Sequence, residues 1–484
     1  MTSRRFLAVS LLTALLATPV WPQGPGDDIR LPALGDGASS LFSIEQEHLL
    51  GRTWLKVFRS QVRTVNDPLM QEYLENLTYR LATHSKLQDR RLEIVIVDNA
   101  ALNAFAVPGG IVGVHNGMFL HADTEAQLAS VLSHELAHIS QRHFARGVEQ
   151  QQRATLPTLA GMLGALVIAA TAGGDAGMAA MTATQAAALQ NRLNYSRQNE
   201  QEADRLGMET LVAAGYDPNA VAAMFDKMRQ AMRYAGQRPP EFLLTHPLTE
   251  NRISDARNRA REYPRKVYVD NLDYQLMRAR AELQLTTNLQ QTIRRFEGRL
   301  AEPARATVAD RYGLALAYLK NGEFDKAREH LQPLLAQDPR RLPYLAADIE
   351  IAIGAGDLKT ALARAEQELR IAPGNHPLTM LYADALIKAR QYQRAEAVLA
   401  EHSKRRPSDP AVWYLLAEVH GLAGNIVGVH QARAEFFVLT GVLDRAQQQL
   451  SYALPLVRGD KLATARIEER IKQIADLKKT IEQL

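Results

Sequence analysis

Residues 134–138 have the sequence His-Glu-Leu-Ala-His, which places two imidazoles four residues apart, with a carboxylate after the first. On a helix, residues at that spacing lie on one face a turn apart, so His134 and His138 can reach a single Zn²⁺. Glu135 would then lie beside the open coordination position and could act as a general base. The motif is short and also occurs by chance, with two solvated histidines as the alternative. Its surroundings therefore decide between the two.

These surroundings predict a helix. Thr124 followed by Gln127 is typical of a capping box at a helix N-terminus. Apolar residues then recur with helical spacing. They are Ala126, Leu128, Ala129, Leu132, Leu136 and Ile139. A motif inside such a helix favours a metal site over surface histidines.

A second motif, Glu-Gln-Glu-Ala-Asp at residues 200–204, supplies carboxylates. Glu200 and Asp204 are one helical turn apart, so one can bind a metal while the other orients a ligating imidazole. Glu202 competes as third ligand, but on a helix it points about 200° away from Glu200. We therefore predict that Glu200 completes a site for one Zn²⁺ per chain. A solvated, charged helix face is the alternative.

Three short strands are predicted before the first motif, at 92–97, 104–107 and 111–115. Pro-Gly-Gly at 108–110 predicts a tight turn between the last two. An edge strand beside a metal site could hold an extended substrate through backbone hydrogen bonds, or the hairpin could only support the core. Three further histidines, His115, His121 and His143, are interpreted as structural or surface residues. His143 comes five residues after His138, a spacing that turns it away on a continuous helix.

Two more segments accompany the motifs. Residues 103–110 have the sequence Asn-Ala-Phe-Ala-Val-Pro-Gly-Gly, and residues 245–252 have the sequence Thr-His-Pro-Leu-Thr-Glu-Asn-Arg. Taken in order across about residues 45–260, the four segments resemble peptidase family M48, a group of zinc metallopeptidases. The resemblance implies a zincin-like domain and zinc metalloendopeptidase activity.

The resemblance also implies a role for each motif residue. Zinc would be bound by His134, His138 and Glu200, with Glu135 as the general base. Asp204 would orient a ligating imidazole from the second shell of the site.

Two residues of the last segment would face the metal as catalytic residues, His246 and Arg252. His246 could stabilise the oxyanion of the tetrahedral intermediate, or it could be a fourth zinc ligand in a resting form. Alternatively, His246 caps a turn before Pro247 and Arg252 is an ordinary salt-bridge partner.

Composition indicates a soluble globular protein with room for two or three cores in its 484 residues. The net charge of +4 is small for this length and gives no argument for nucleic-acid binding. The absence of cysteine excludes disulfides and thiolate zinc sites.

The N-terminus predicts export. Arg4 and Arg5 precede a mostly apolar stretch at 6–16, which Pro19 and Pro22 then end. This pattern is typical of a secretory signal peptide, and we assign residues 1–25 to it. The predicted location is the periplasm, with a possible peripheral association with the outer membrane.

A second apolar region, 156–189, is too short and too interrupted to cross a membrane comfortably. A single crossing here would also place His134 and Glu200 on opposite sides of the bilayer. We predict an apolar helical hairpin broken at Gly173 and Gly174. It could contact a membrane surface, cover the cleft, contact substrates, or belong to the buried core.

The C-terminal half is repetitive. Gly322, Gly356 and Gly424 are separated by 34 and 68 residues, with Arg390 at the intervening position. The same 34-residue period recurs in two further sets, Ala327, Ala361, Ala395 and Pro339, Pro373, Pro407. This period is typical of tetratricopeptide repeats, whose stacked helix pairs form a superhelix. A divergent copy is predicted near 274–305, and another helix pair up to about 456.

The predicted fold is α+β and mostly helical: a metallopeptidase domain with a small sheet at 26–264, then an all-α tetratricopeptide superhelix at 265–484. The array is expected to bind partners, with packing on the first domain as the alternative. For a periplasmic family member with repeats, the resemblance implies degradation of unfolded or misassembled polypeptides. Its partners would be outer-membrane β-barrel precursors and their insertion machinery. The alternative function is a chaperone-like assembly adaptor whose protease activity is latent or restrained.

Overall fold

The computed structural model describes residues 43–150, 197–234 and 240–483. The predicted signal peptide (1–25) and the predicted apolar hairpin (156–189) lie outside these ranges. The described residues belong to one compact unit that is mainly helical, with a single three-stranded sheet among them. The predicted fold class is therefore confirmed.

The sheet contains β1 (Glu93–Val97), β2 (Ala104–Val107) and β3 (Ile111–His115), which confirms the predicted strands to within one residue. Its order is β1-β3-β2, with β1 parallel and β2 antiparallel to β3. Gly109 and Gly110 make the turn between β2 and β3 with φ of 81° each, a conformation that glycine adopts without strain. β2 therefore lies at one edge of the sheet.

Helices complete the N-terminal part of the structure, residues 43–264. In chain order they are α1 (Ile44–Gln61), α2 (Pro68–Thr83), α3 (Met118–His121), α4 (Glu125–Ser140), α5 (His143–Gln150), α6 (Arg197–Ala213), α7 (Asn219–Tyr234), α8 (Glu241–Thr245) and α9 (Glu250–Glu262). The first sequence motif lies on α4 and the second on α6. The short helix α8 leads directly into His246.

The repeat part, residues 265–483, consists of consecutive helices joined by short turns. They are α10 (Leu272–Leu285), α11 (Leu289–Leu300), α12 (Val308–Lys320), α13 (Phe324–Gln337), α14 (Leu342–Gly354), α15 (Leu358–Ile371), α16 (His376–Lys388), α17 (Tyr392–Arg405), α18 (Pro410–Leu422), α19 (Ile426–Leu439), α20 (Leu443–Ala453), a 3₁₀ turn (Leu454–Val457) and α21 (Lys461–Gln483). The predicted divergent copy corresponds to α10 and α11.

The backbone confirms the 34-residue register. Gly322, Gly356 and Gly424 have φ of 80°, 76° and 80°, and Arg390 adopts the same left-handed conformation with φ of 57°. Each follows the first helix of a pair, where a left-handed residue ends the helix. The alanines of the repeat, Ala327, Ala361 and Ala395, are fully buried.

The repeat part packs on the N-terminal part. One apolar core extends from Leu69 on α2 to Ile351 on α14. Contacts also join α10 to α3, α16 to α2 and α19 to α1. Arg280 on α10 forms ion pairs with Asp67 and Glu350. Packing on the first domain, the alternative considered for the array, is therefore one of its roles, and the boundary at residue 264 stays a prediction.

Among the residues that the structure describes, no helix is both long enough and apolar enough to cross a bilayer.

Candidate metal centre

The helix α4 carries the His-Glu-Leu-Ala-His motif into the interior. Thr124 caps it by accepting a hydrogen bond from the backbone N–H of Gln127 at 3.3 Å. The side chain of Gln127 accepts from the backbone N–H of Asp123 instead of that of Thr124, so the predicted capping box is only half formed. Leu128 and Leu132 are fully buried, because α4 is covered on several sides by the sheet and by other helices.

The helix α6 approaches α4 closely at Gly207. A Cβ atom on Gly207 would lie 3.0 Å from the backbone nitrogen of His134, so only glycine allows this spacing without displacement of one helix. The close approach brings Glu200 and Asp204 against the histidine face of α4. Two segments more than sixty residues apart in sequence thus meet at one place.

Donor atoms of four residues converge between these helices and the end of α8. The group consists of His134, His138, Glu200 and His246, whose donor atoms all lie within 4.8 Å of one another. The Nε2 atoms of His134 and His138 are 3.0 Å apart. The Glu200 carboxylate lies 3.5 Å from the first and 3.4 Å from the second. All four side chains are buried.

His246 has two roles that were predicted as alternatives: it caps a turn and it faces the metal site. Its backbone N–H caps α8 by donating to the carbonyl of Phe242 at 2.9 Å. Its ring stacks on Phe242 and points Nδ1 at the donor group, 3.0 Å from Glu200 Oε1 and 3.4 Å from His134 Nε2. Its Nε2 lies 3.5 Å from Glu135 Oε1.

The spacing of the donors suits a tetrahedral metal ion. Ligand bonds of about 2.0–2.2 Å give tetrahedral edges of about 3.3–3.6 Å. The donor separations given above are 3.0–3.5 Å. Imidazole nitrogens with a carboxylate oxygen are also a donor set that zinc accepts. The residues present therefore fit such an ion.

The charges point the same way. The site contains three buried carboxylates, Glu135, Glu200 and Asp204, and one buried guanidinium, that of Arg252, which pairs with the last two. With neutral histidines this leaves a deficit of two positive charges, which one divalent cation would cancel. Without a cation, protons compensate: burial opposes the charged form, but hydrogen bonds to Asp204 and Glu200 raise the pKa of His134 to about 10.

Asp204 and Arg252 lie behind the donor group. Asp204 Oδ1 is 3.0 Å from Nδ1 of His134, the ring nitrogen that faces away from the donors. Arg252 donates to both Asp204 oxygens at 2.6 and 2.7 Å, and to the carbonyl of Pro247 at 2.8 Å. Its Nη1 is 2.7 Å from Glu200 Oε2. Burial disfavours the charged form of Asp204, yet these Arg252 bonds lower the pKa of Asp204 below its usual value.

Glu135 lies beside the donors but does not belong to them. It is almost fully buried, and burial raises the pKa of its carboxyl. The backbone N–H of Ala106 on β2 donates to it. Its Oε1 accepts no hydrogen bond from the described residues. A carboxylate oxygen that accepts no hydrogen bond from these residues, with His246 Nε2 3.5 Å away, can take a proton from a neighbouring molecule.

The predicted orientation of His143 is wrong. It does not turn away from the motif: its Nδ1 lies 2.9 Å from Nδ1 of His138, and its ring is buried. Helix α4 ends at Ser140 and Arg142 adopts φ of 51°, so helical spacing no longer applies at residue 143. No glycine marks this turn, so no local signal predicted it. His115 and His121 lie outside the donor group, as expected.

Glu202, the competitor for the third ligand position, also contacts His143. Its Oε2 lies 3.1 Å from His143 Nε2 and 3.1 Å from Arg146 Nη1. It is thus on the far side of His138 from the donors, in agreement with its predicted orientation on the helix.

Comparison with known proteins accounts for both parts of the fold. The sequence model of peptidase family M48 matches residues 68–260, and that of the tetratricopeptide repeat matches residues 352–419. The first range contains the donor group and the second lies within the helix pairs. The protein is therefore a metalloprotease with a tetratricopeptide-repeat domain.

Bacterial relatives match nearly the whole chain. The β-barrel assembly-enhancing protease of Escherichia coli (strain K12) is 36% identical over 487 residues, covering 98% of this chain and 97% of that protein. The protein of the same name from Yersinia pestis is 34% identical over 481 residues, covering 97% of each. A Vibrio cholerae relative is 37% identical over 468 residues, covering 96% of each. The chain belongs to peptidase family M48.

Proposed function

We propose that the protein is a zinc endopeptidase in which His134, His138 and Glu200 hold one zinc ion. The observation that carries this proposal is the buried donor group, with separations close to the edges of a zinc tetrahedron. The charge deficit of the surrounding residues supports a divalent cation. Asp204 orients His134 through its Nδ1 atom, and Arg252 holds Asp204 and Glu200 in place. We therefore assign Arg252 a positioning role instead of the catalytic role expected from sequence.

Glu135 is the proposed general base. A zinc ion in such a site supplies polarisation of the scissile carbonyl and activation of water. Glu135 takes a proton from the attacking water at Oε1, which accepts no hydrogen bond in the described part of the structure, and passes it to the leaving amine. Burial serves this role, since the raised pKa of Glu135 brings a carboxyl closer to the pH at which it must exchange protons.

The edge strand β2 suits an extended substrate. The backbone N–H of His115 donates to the carbonyl of Asn103. Because bonded positions alternate along an antiparallel pair, the backbone groups of Ala104 and Ala106 point away from β3, towards the edge of the sheet. That edge is next to the base, since Ala106 donates to Glu135. Backbone pairing is indifferent to side chains, which favours unfolded or misassembled polypeptides as substrates.

His246 supports a second candidate function, a latent or restrained protease that acts mainly as an assembly adaptor. Its Nδ1 lies within the donor group, at 3.0 Å from Glu200 Oε1, where a fourth ligand would lie. In this form the protein would keep its repeat surface while cleavage waits for displacement of His246. The competing role, stabilisation of the oxyanion, requires the ring to turn towards the substrate.

The repeat domain is the proposed docking region for partners. Helices α10, α16 and α19 contact the N-terminal part, and large exposed apolar side chains recur from α18 to the end of the array. These are Tyr414, Leu422, Ile426, Tyr452, Leu456 and Leu462. From the names of the relatives, we propose outer-membrane β-barrel precursors and their insertion machinery as partners. A periplasmic location, reached through the signal peptide at 1–25, follows from that role, and contact of 156–189 with a membrane stays a prediction.

The proposal is tested by zinc content and casein cleavage of the wild type and Glu135→Gln. We expect one zinc per chain in both proteins and a loss of cleavage of about 10²- to 10⁴-fold in the variant. Well-folded wild type without bound metal, or unchanged cleavage by the variant, would refute the enzyme mechanism. If Glu135→Gln still supported outer-membrane assembly fully, the adaptor would be the main function.

The role of His246 is tested by His246→Ala, with His121→Ala as a control in a partly buried histidine outside the donor group. Faster casein cleavage by His246→Ala supports the resting ligand and a latent enzyme. Slower cleavage, with zinc retained, supports the oxyanion role.

A further inference from the structure

A chain of three side chains extends from the donor group to the protein surface through His138. The Nδ1 atoms of His138 and His143 are 2.9 Å apart, with the rings edge to face at 4.9 Å. On its other side, His143 Nε2 is 3.1 Å from Glu202 Oε2. Arg146 pairs with the same carboxylate oxygen at 3.1 Å. His143 is fully enclosed, while Glu202 and Arg146 are about a third exposed.

The partners decide where the hydrogens lie. A carboxylate only accepts, so the Nε2 atom of His143 carries a hydrogen and donates to Glu202. A neutral imidazole then has an unprotonated Nδ1, which accepts from the Nδ1–H of His138. This leaves a lone pair on the Nε2 atom of His138, the atom that faces His134 and Glu200.

We propose that His143, held by Glu202, is the positioning residue that fixes the tautomer and ring orientation of His138. This inference rests on the proposed zinc site. The two motif histidines are then oriented in the same way: Asp204 accepts a hydrogen bond from the Nδ1–H of His134, and His143 accepts one from the Nδ1–H of His138. Both Nε2 lone pairs are then directed at the same point.

The choice of an imidazole at this place has an electrostatic reason. The site already contains three buried carboxylates, and a fourth against His138 would add buried negative charge that a divalent ion could not cancel. A neutral imidazole accepts the same hydrogen bond without charge. It moves the anion outwards to Glu202, where Arg146 and solvent compensate it.

The backbone places His143 through a specific turn. Arg142 has φ of 51°, which reverses the chain after α4 and returns residue 143 to His138. Two nitrogens of its guanidinium donate to Glu47 Oε1 on α1, at 3.0 and 3.1 Å. A non-glycine residue rarely adopts this conformation, and the anchoring to α1 offsets its strain.

The test compares zinc affinity in full-length variants by competition with a chromogenic chelator. His143→Leu removes the acceptor, and we expect zinc to bind about 10- to 100-fold more weakly. His143→Gln keeps a carbonyl that can accept from His138 and should recover most of the affinity. Glu202→Leu leaves the imidazole but frees its tautomer, with an expected loss of about 10-fold. Glu209→Leu, an exposed carboxylate on the same helix, is the control and should bind like wild type.

Two further readouts separate positioning from a structural role. The cobalt-substituted protein should show an altered visible spectrum in His143→Leu and a wild-type spectrum in Glu209→Leu. Melting of the chelator-treated proteins reports stability without metal. Lower stability in His143→Leu with unchanged zinc affinity and cobalt spectrum would overturn the inference, and if that variant does not fold, Glu202→Leu decides. Absence of zinc from the wild type would instead refute the proposed metal site itself.

Discussion

The buried guanidinium of Arg252 gives the sharpest prediction about stability. Replacing it with methionine keeps most of the apolar stem but removes the guanidinium, which lies over the Phe225 ring and carries the charge between Asp204 and Glu200. These two carboxylates are almost completely buried, so water cannot take over the role of the guanidinium. The variant should fold less stably both with and without metal.

The magnitude follows from the contacts. At 2.6–2.7 Å, each carboxylate attracts the guanidinium with about 6 kcal/mol at an effective dielectric constant of about 20. Desolvation of the ions offsets most of this gross attraction. What remains is the penalty for leaving buried charge unpaired, about 3–5 kcal/mol in the free energy of unfolding.

The measurement is urea denaturation followed by circular dichroism, with zinc and with chelator. Arg257→Met is the matched control, because Arg257 lies on the same helix and pairs with Asp226 at 2.9 Å while both remain about half exposed. Such a surface pair contributes about 0–1 kcal/mol. If Arg252→Met lost no more stability than Arg257→Met, the assignment of Arg252 as the charge that holds the two carboxylates would be wrong.

Three other predictions address packing, pH and the junction with the repeats. Gly207→Ala forces α6 away from the backbone of His134, so the free energy of unfolding should fall by about 1–3 kcal/mol and zinc should be retained poorly. Gly298→Ala is the control, because there is open space around Gly298, and it should show neither effect. Melting and zinc content measure both variants. Zinc must displace a proton from His134, whose metal-free pKa is about 10, so affinity should fall by about tenfold for each unit of pH lowered; a flat profile in chelator competition would contradict it. Arg406 donates two hydrogen bonds, at 2.8 and 2.9 Å, to the carboxylate of Glu75 on α2. Arg406→Met removes both and should lower the free energy of unfolding by about 1.5–3 kcal/mol in urea denaturation. Arg405→Met, which replaces the exposed neighbouring residue, is the control and should change this free energy little.

Local periodicity explains most of what could be predicted from sequence. Histidines at i and i+4, and carboxylates at i and i+4, share a helical face whatever the rest of the chain does. The turn at 108–110 and the strands beside it depend on glycine, proline and β-branched residues in a short window. The repeat register likewise depends on residues within each helix pair. Arg390 fits the same register without being glycine, because it adopts the left-handed backbone conformation that this turn requires.

Predictions that depended on the direction of the chain beyond a helix end were weaker. Helical spacing predicted that His143 points away from His138, but the chain reverses at Arg142 and the two rings are in contact. Gln127 contacts Thr124 only through its backbone N–H, because its side chain accepts from the backbone N–H of Asp123 instead. Arg252 was expected to face the reacting atoms, yet its donors are directed at Asp204, Glu200 and the carbonyl of Pro247.

The sequence by itself determined the class of chemistry, since the types of donor and their helical spacing are local properties. It also determined the repeat architecture, because each helix pair repeats the same short-range pattern. Only the tertiary structure decided that His246 lies in the donor group, that His143 contacts His138, and that the repeat array packs on α2. These outcomes depend on side chains far apart in sequence and on close approaches such as that at Gly207, which no local pattern encodes.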